Sequence, residues 1–204
     1  MKFRSLATAA ASLALVGSIA VAAPAEATEV DGPTLTDLLE AQGGGTDRNW
    51  YDFDILAAGV EVAGLSDALD DPAADLTVFL PNDRAFQALV ADLFGWRYWF
   101  AGEAKILDKV ASLGAETLAT VILYHAVPGR IDAETALSVP RGTALTTLQG
   151  GDIRVYPKRR LGTAVLADQD RNDINPFLVR SKLDIEASNG IAHGISFVLR
   201  PIDL

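Results

Sequence analysis

The stretch TVFLPNDRAF, residues 77–86, predicts a buried strand, a sharp stop and the start of a helix. Apolar residues stand on both sides of an extended chain here, with Val78 facing opposite to Phe79, so the strand is expected to be buried on both faces. Pro81 has no backbone N–H to donate to a sheet, and we expect it to end the strand.

The residues after Pro81 have the pattern of a helix N-terminus. Asn82 is a natural N-cap, and Asp83 stands where the helix dipole favours a negative charge. Apolar residues then recur at helical spacing and form the expected core face: Phe86, Leu89, Val90, Leu93 and Phe94. The stretch specifies a strand, a stop and a capped helix, and by itself it specifies no chemistry.

The first 27 residues have the pattern of a secretory signal. Lys2 and Arg4 precede an apolar, alanine-rich segment at 6–23, and Ala-Glu-Ala at 25–27 suits a signal peptidase. We expect residues 1–27 to be a cleaved signal peptide and the mature chain to begin near Thr28. An uncleaved membrane anchor is the alternative, because the segment is nearly long enough to span a bilayer.

Composition limits the class of protein further. The chain has a formal net charge of −10, and removal of the two cations and one anion at 1–27 leaves −11. Such an acidic chain is a poor candidate for nucleic-acid binding, which depends on neutralising phosphates. The chain has no cysteine, so its stability must come from its core rather than from disulfides. We expect one domain at 28–204, with no stable membrane span after signal removal.

The order of elements predicts an α+β fold. Helical patterns dominate up to about residue 125, and strand patterns follow, with no alternation of strand and helix. Two hairpins are predicted, one around the Gly-Gly at 150–151 and one around the Asn-Gly at 189–190. The predicted late strands are 143–148, 153–156, 164–167, 177–185 and 191–199.

Three of these stretches together resemble the fasciclin (FAS1) domain. Residues 77–86 resemble its first motif, LYHAVPG at 123–129 its tyrosine–histidine motif, and NGIAHGISFVLRP at 189–201 its second motif. The chain is identified on this basis as a single-domain, bacterial-type secreted member, with a core at about 33–204. Small departures, such as Ser196 where the family often has Asp, concern packing.

The resemblance carries expectations about fold and role. It implies a compact β-wedge of about seven strands with several flanking α-helices. It also implies that His125 and Asp83 are tied by hydrogen bonds, and that no catalysis is general to the family. Family members are mostly linked to adhesion at cell surfaces or in the matrix. The motif residues expected to be structural are Thr77, Phe79, Pro81, Asn82, Asp83, Phe86, Asn189, Gly190 and His193.

Five residues are candidates for contact with a partner: Trp96, Tyr98, Trp99, Tyr124 and His125. The aromatic run at 96–100 suits stacking on sugars or contact with a protein, although packing over the core is the commoner use. Tyr124 and His125 belong to the motif associated with receptor binding in animal relatives. The helix phase puts Tyr124 beside core positions, so a structural role suits it at least as well. We expect His125 to belong to a structural polar core, and His193, on an apolar strand face, to be buried and neutral.

Catalytic and metal motifs find little support. No cysteine, no G-x-S-x-G elbow and no H-E-x-x-H pattern is present. Asp168-x-Asp170-x-Asn172 begins like a calcium loop, but Asp173 replaces the required glycine and Val179 the required glutamate. We therefore predict a solvated hairpin tip there, no cofactor and no enzymatic activity.

The resulting hypothesis is a secreted, non-enzymatic binding or adhesion module. Its partner would be a protein or polysaccharide at the cell surface or in the matrix, with the basic residues at 154 and 158–160 as an additional contact for acidic polysaccharide. The alternative is a secreted small-molecule or lipid-binding module that uses a pocket beside the aromatic segment.

Overall fold

Residues 32–42, 45–170 and 173–202 are described by the structure, a computed structural model, and the predicted signal peptide at 1–27 lies outside them. This part of the chain contains seven α-helices and seven strands, which establishes the α+β class. The helices are α1 Leu35–Gln42, α2 Asp54–Ala63, α3 Ser66–Asp70, α4 Asp83–Phe94, α5 Glu103–Ala111, α6 Ala115–Tyr124 and α7 Ala133–Ser138. The strands are β1 Leu76–Pro81, β2 Ala126–Pro128, β3 Thr143–Thr146, β4 Asp152–Lys158, β5 Thr163–Ala167, β6 Ile185–Ala187 and β7 Gly190–Ile195.

Strand β1 lies inside a four-stranded mixed sheet of order β2-β1-β7-β6. It runs parallel to β7, from the Leu76–Gly190 pair to the Pro81–Ile195 pair, and antiparallel to β2. Strands β3, β4 and β5 form a second, antiparallel sheet. Every residue of β1 is buried, as predicted, because both faces of its sheet are covered.

The two faces of β1 contribute to two different cores. Leu76, Val78 and Leu80 point into a large core that they share with helices α1 to α6. Phe79 points the other way, into a second core with Ile153 of β4 and other residues of the three-stranded sheet. The alternation of side chains along one strand therefore joins the helical layer to the sheet layer.

Local hydrogen bonds confirm the predicted start of α4 and define the start of α1. Asn82 accepts from the N–H of Ala85 at 3.0 Å and caps α4. In α1, the side chain of Thr34 accepts from Asp37 N–H and the side chain of Asp37 accepts from Thr34 N–H, which is a capping box. Among the described residues, no helix is both long enough and apolar enough to cross a membrane.

The predicted strand at 177–185 is wrong. Leu178 N–H donates to Ala164 O of β5, while Val179 N–H donates to Gly194 O of β7, so this segment passes from one sheet to the other. It then forms a 3-10 turn at Arg180–Lys182, and Asp184 has a positive φ of 51°. Alternating apolar residues were present here, but pairing with two different sheets prevents a continuous strand.

Two elements were not predicted. Strand β2 follows α6 after a single residue and pairs with β1, and α7 occupies only Ala133–Ser138. Both are very short, three and six residues, so they contain too few positions for a periodic pattern to be recognised.

Candidate functional site

The aromatic run forms a 3-10 turn, Trp96–Phe100, between α4 and α5. Gly95 precedes it with a φ of 106°, a conformation that favours glycine. Tyr98 turns inward and packs edge-on against Phe94, with ring centroids 6.1 Å apart. The buried amide of Gln87 on α4 donates to the carbonyls of Trp99 at 3.3 Å and Ala101 at 3.4 Å. Tyr98 and the hydrogen bonds from Gln87 therefore hold the turn against the helical core.

Three aromatic side chains of this turn point outward, and we call them the aromatic face: Trp96, Trp99 and Phe100. Trp96 is 74% exposed, Phe100 81% and Trp99 39%. Trp96 and Phe100 are in edge-to-face contact at 6.0 Å. The guanidinium of Arg84 lies 5.0 Å from the ring centre of Trp99. Of the three candidates for partner contact in this turn, Trp96 and Trp99 are accessible and Tyr98 is not.

A cleft of about 260 Å³ opens beside the aromatic face. One wall is α4 with Trp96 and Trp99, and the other is the C-terminal segment around Phe197. Ile174, which is 72% exposed, also lines the cleft. Polar side chains lining the cleft are Asp92, Asp173 and Arg200. The cleft thus joins apolar walls to charged groups, as small-molecule sites do, although it is smaller than the roughly 300–1,000 Å³ of typical ligand pockets.

Arg200 is buried and holds the charged side of the cleft together. Its guanidinium contacts Asp92 at 3.0 Å, Asp170 at 3.7 Å and also Asp173. Its backbone N–H donates to Asp168, and burial raises the pKa of that carboxyl to about 6. The predicted solvated hairpin tip is therefore wrong for Asp170, which is buried because it pairs with an arginine.

Tyr124 and His125, also candidates for partner contact, lie in the interior. Tyr124 has no exposed surface, its hydroxyl donates to Asp152 O at 2.7 Å, and burial raises its pKa. His125 bonds through both ring nitrogens, to Val121 O at 2.7 Å and to Leu199 N–H at 3.0 Å. A partner on the surface of the protein would touch neither side chain, because both point from the end of α6 into the core.

The two histidines hold their protons on opposite nitrogens. In His125, Nδ1 faces a carbonyl and Nε2 accepts from an N–H. In His193 the roles are reversed, since Nδ1 accepts from Asp184 N–H at 3.2 Å and Nε2 faces Ile131 O at 2.8 Å. Both arrangements require a neutral ring that donates once and accepts once. Complete burial also lowers the pKa of His125 to about 4.

The expected hydrogen bond between Asp83 and His125 is absent among the contacts of the described residues. Asp83 Oδ1 instead accepts from Ile55 N–H of α2 at 3.0 Å. Burial, followed by the neighbouring carboxyls of Asp52 and Glu103, raises the pKa of Asp83 to about 10. The prediction was wrong because Asp83 stands at the N-terminus of α4 and faces two other helix starts, while His125 ends α6.

The remaining motif residues make specific structural contacts. Thr77 donates to Gly129 O at 2.6 Å and accepts from Ile131 N–H at 2.8 Å, which holds the loop after β2. Asn189 accepts from Leu35 N–H at 2.9 Å and donates to Leu69 O at 2.7 Å. The buried amide of Asn189, which lies in the turn before β7, therefore links the start of α1 to α3.

Sequence reasoning missed several residues of this site. Gln87 stands at a buried position of an otherwise apolar helix face, and a polar residue in that phase was an available signal. Arg200 and Ile174 carried no such signal, because each meets the aromatic face only after the chain has crossed both sheets.

Comparison with known proteins places this chain in a family. The family model of the Fasciclin domain matches residues 51–201. The transforming growth factor-beta-induced protein ig-h3 of Sus scrofa is 32% identical over 151 residues, which is 73% of this chain and 18% of that protein. Protein sll1483 of Synechocystis sp. is 29% identical over 149 residues, covering 73% of this chain and 67% of that protein.

A solved structure supports the fold. A FAS1 domain pair from the insect cell adhesion molecule Fasciclin I superposes with a TM-score of 0.57 and 19% identity, over 82% of this chain and 51% of that one. The chain spans less than a fifth of the pig relative and about half of the insect structure. From the family match over residues 51–201 and the shared fold, the chain belongs to the fasciclin (FAS1) domain family.

Proposed function

We propose that this protein is a secreted, non-enzymatic adhesion or binding module that contacts its partner through the aromatic face. Fasciclin domains are typically adhesion-related, and the partner here would be a protein or polysaccharide at a cell surface or in the matrix. The observation that carries the proposal is the outward display of Trp96, Trp99 and Phe100 on a turn whose backbone is anchored by Gln87. Adjacent exposed aromatic side chains mark interaction surfaces, because their burial against a partner removes apolar area from water.

The arrangement of polar groups supports a binding role over catalysis. Both histidines are buried, and each bonds to the backbone through both ring nitrogens, so neither is placed to exchange protons with a substrate. Rigid aromatic side chains with few rotatable bonds lose little entropy when they bind, which suits a contact surface.

Substitution of the aromatic face tests the proposal. Trp96→Ala and Phe100→Ala should each weaken binding to cells or to arrayed glycans at least tenfold, since each removes a large exposed contact without cutting into the core. Val62→Ala is the control, because Val62 is an apolar residue of α2 that is 45% exposed and lines neither the aromatic cleft nor the cleft beside the basic residues at 158–160. Equal binding by all three variants and the parent protein would refute the assignment of this surface.

The cleft beside the aromatic face favours a second candidate, the binding of a small apolar molecule or a lipid chain. Its walls include Trp96, Trp99 and Phe197, and its volume of about 260 Å³ is enough for part of such a ligand. Native mass spectrometry of the purified protein distinguishes the two candidates. A co-purified ligand that is lost in Trp99→Ala favours the second, and a ligand-free protein that binds cells favours the first.

Export belongs to the same proposal and has its own test. Residues 1–27 would direct the protein out of the cell, and the N-terminus of the mature form would lie near Thr28. One contact face binds one surface, so bridging two surfaces requires a dimer, an anchor or a second site. Fractionation of cells and medium, with N-terminal sequencing, would show whether the processed protein is released or remains cell-associated.

A further inference from the structure

Five carboxyl groups converge where α2, α4 and α5 begin. We call them the carboxylate cluster: Asp47, Asp52, Asp54, Asp83 and Glu103. Asp47 and Asp52 belong to the loop before α2, and the other three are the first residues of α2, α4 and α5. One oxygen from each of Asp47, Asp52, Asp54 and Glu103 lies within 4.8 Å of the others. Asp83 borders this group through its contacts with Asp52 and Glu103.

Two carboxyls at the centre of the cluster each have one buried oxygen that no backbone or amide donor of the described residues reaches. Asp83 and Glu103 are almost completely buried. Asp83 Oδ1 is bonded to Ile55 N–H, and Oδ2 finds no backbone or amide donor, while the Asp83 carboxyl faces those of Asp52 and Glu103. Glu103 Oε2 accepts from Asp47 N–H, and Oε1 has no backbone or amide donor. Buried carboxyls that face one another are costly as anions, and a cationic ligand among them would remove that cost.

Within the described part of the chain, no lysine or arginine forms an ion pair with Asp47, Asp52, Asp83 or Glu103. Three helix N-termini favour negative charge, but each supplies only roughly +0.5 of an elementary charge, about +1.5 together against the three carboxylates of Asp47, Asp52 and Glu103. The helix ends therefore explain why carboxylates gather here, and they leave more than one negative charge without compensation.

We propose that the carboxylate cluster is a calcium-binding site, with Asp47, Asp52, Asp54 and Glu103 as ligands and Asp83 supporting them. Calcium binds six to eight oxygens at roughly 2.3–2.6 Å, so ligands on opposite sides of the ion are about 4.6–5.2 Å apart. Oxygens that lie within 4.8 Å of one another fit around one such ion. Magnesium demands a tighter octahedron and retains several waters, which a set of four carboxylates suits less well.

An open cleft gives a cation access to the cluster. Asp47 and Glu103 line it, together with Thr46, Lys105 and Asp108. Its volume of about 430 Å³ leaves room for water molecules to complete the coordination sphere. A bound ion would tie the loop before α2 to the first residue of α5, three residues after Phe100. This site is separate from the aromatic face and does not depend on the adhesion proposal.

Calcium titration of the chelator-treated protein tests the site. In about 0.15 M salt, which screens the general attraction of an acidic protein for cations, we expect saturable binding of one calcium per chain by calorimetry. The melting temperature should rise by several degrees and return when EGTA is added. Trp50 lies within the loop that supplies two ligands, so bound terbium should luminesce on tryptophan excitation and lose most of that signal in Trp50→Phe.

Charge-neutral variants locate the ion. Glu103→Gln and Asp52→Asn should weaken calcium binding at least tenfold while preserving the shape of the side chains. The calcium-free form of Glu103→Gln should melt no lower than the parent, since one of the uncompensated charges is gone. Glu134→Gln is the control, because it removes an equal charge from the exposed first turn of α7, outside the cleft beside the cluster, and should change affinity less than twofold. If Glu103→Gln fails to fold, Asp52→Asn in the half-buried loop decides the question.

Three results would overturn the assignment. The first is no saturable binding up to about 10 mM calcium, above the roughly 10⁻⁴–10⁻³ M range of extracellular calcium modules. The second is equal calcium affinity in the parent, Glu103→Gln and Asp52→Asn, which would indicate diffuse attraction to an acidic surface. The third is magnesium binding that equals or exceeds calcium binding under the same conditions.

Discussion

The imidazole of His125 accepts a hydrogen bond from the backbone N–H of Leu199 at 3.0 Å, and this bond joins the end of α6 to the segment after β7. The two residues are far apart in sequence, and both are buried. The opposite ring nitrogen is occupied by Val121 O within α6, so the ring has no free position. A residue that was considered for partner contact is therefore a link between the helical layer and the C-terminal segment.

Replacement of His125 by alanine should lower the free energy of unfolding by about 2–4 kcal/mol. The substitution leaves Leu199 N–H and Val121 O without their partner and opens a cavity in the core. Chemical denaturation monitored by circular dichroism measures the loss. Partner binding by the folded variant should equal that of the parent, and lost binding with unchanged stability would contradict a structural role.

The cost of His125→Ala should shrink in acid. Burial lowers the pKa of His125 to about 4 in the folded protein, from 6.5 in the unfolded chain. The unfolded chain therefore binds the proton first, and the stability present above pH 6.5 is lost as the pH falls through about 4. At about pH 5 the parent should have lost about 2 kcal/mol that the variant does not lose. Denaturation of both proteins at about pH 5 and above pH 6.5 measures this difference. Asp168, whose pKa is raised, changes the stability of the parent and of the variant equally.

Gly190→Ala should destabilise the protein by about 3 kcal/mol, because a Cβ at this position would lie 2.5 Å from the carbonyl oxygen of Leu76. That oxygen belongs to the β1 backbone, which cannot move away. Gly59→Ala is the control, since a Cβ there meets only Ile122 Cδ1 at 3.9 Å inside α2. This second substitution should raise stability by about 0.5–1 kcal/mol. Equal effects of the two substitutions in thermal melts would contradict the close approach of β7 to β1.

Gln87→Leu should loosen the aromatic turn with a cost of about 1–2 kcal/mol, since it removes the donors to the carbonyls of Trp99 and Ala101 while filling a similar volume. Amide hydrogen exchange across Trp96–Phe100 should become faster, with little change in β1. If this turn is the contact surface, partner binding should weaken as well. Unchanged exchange in the turn would show that Gln87 does not hold it.

The Asn-Gly pattern at 189–190 correctly predicted a hairpin, but the structure requires this glycine for a different reason. A two-residue turn does connect β6 to β7, since Ala187 pairs with Gly190. Glycine in an Asn-Gly hairpin turn commonly has a positive φ, but Gly190 is not among the glycines of the described chain that have one. Gly190 is required because β1 approaches closely, and a contact with a distant strand leaves no local signal.

Residues 77–86 determined by themselves what short-range physics determines: a strand buried on both faces, its end at Pro81, and a helix capped by Asn82. With the other two motifs they also identified the family. The exposure of Trp96 and the burial of Tyr124 depended on how α4 and α6 pack, which local periodicity does not specify. Likewise, only the tertiary structure brought Asp52, Asp83 and Glu103 together, because the starts of three helices meet there and no spacing along the chain records that meeting.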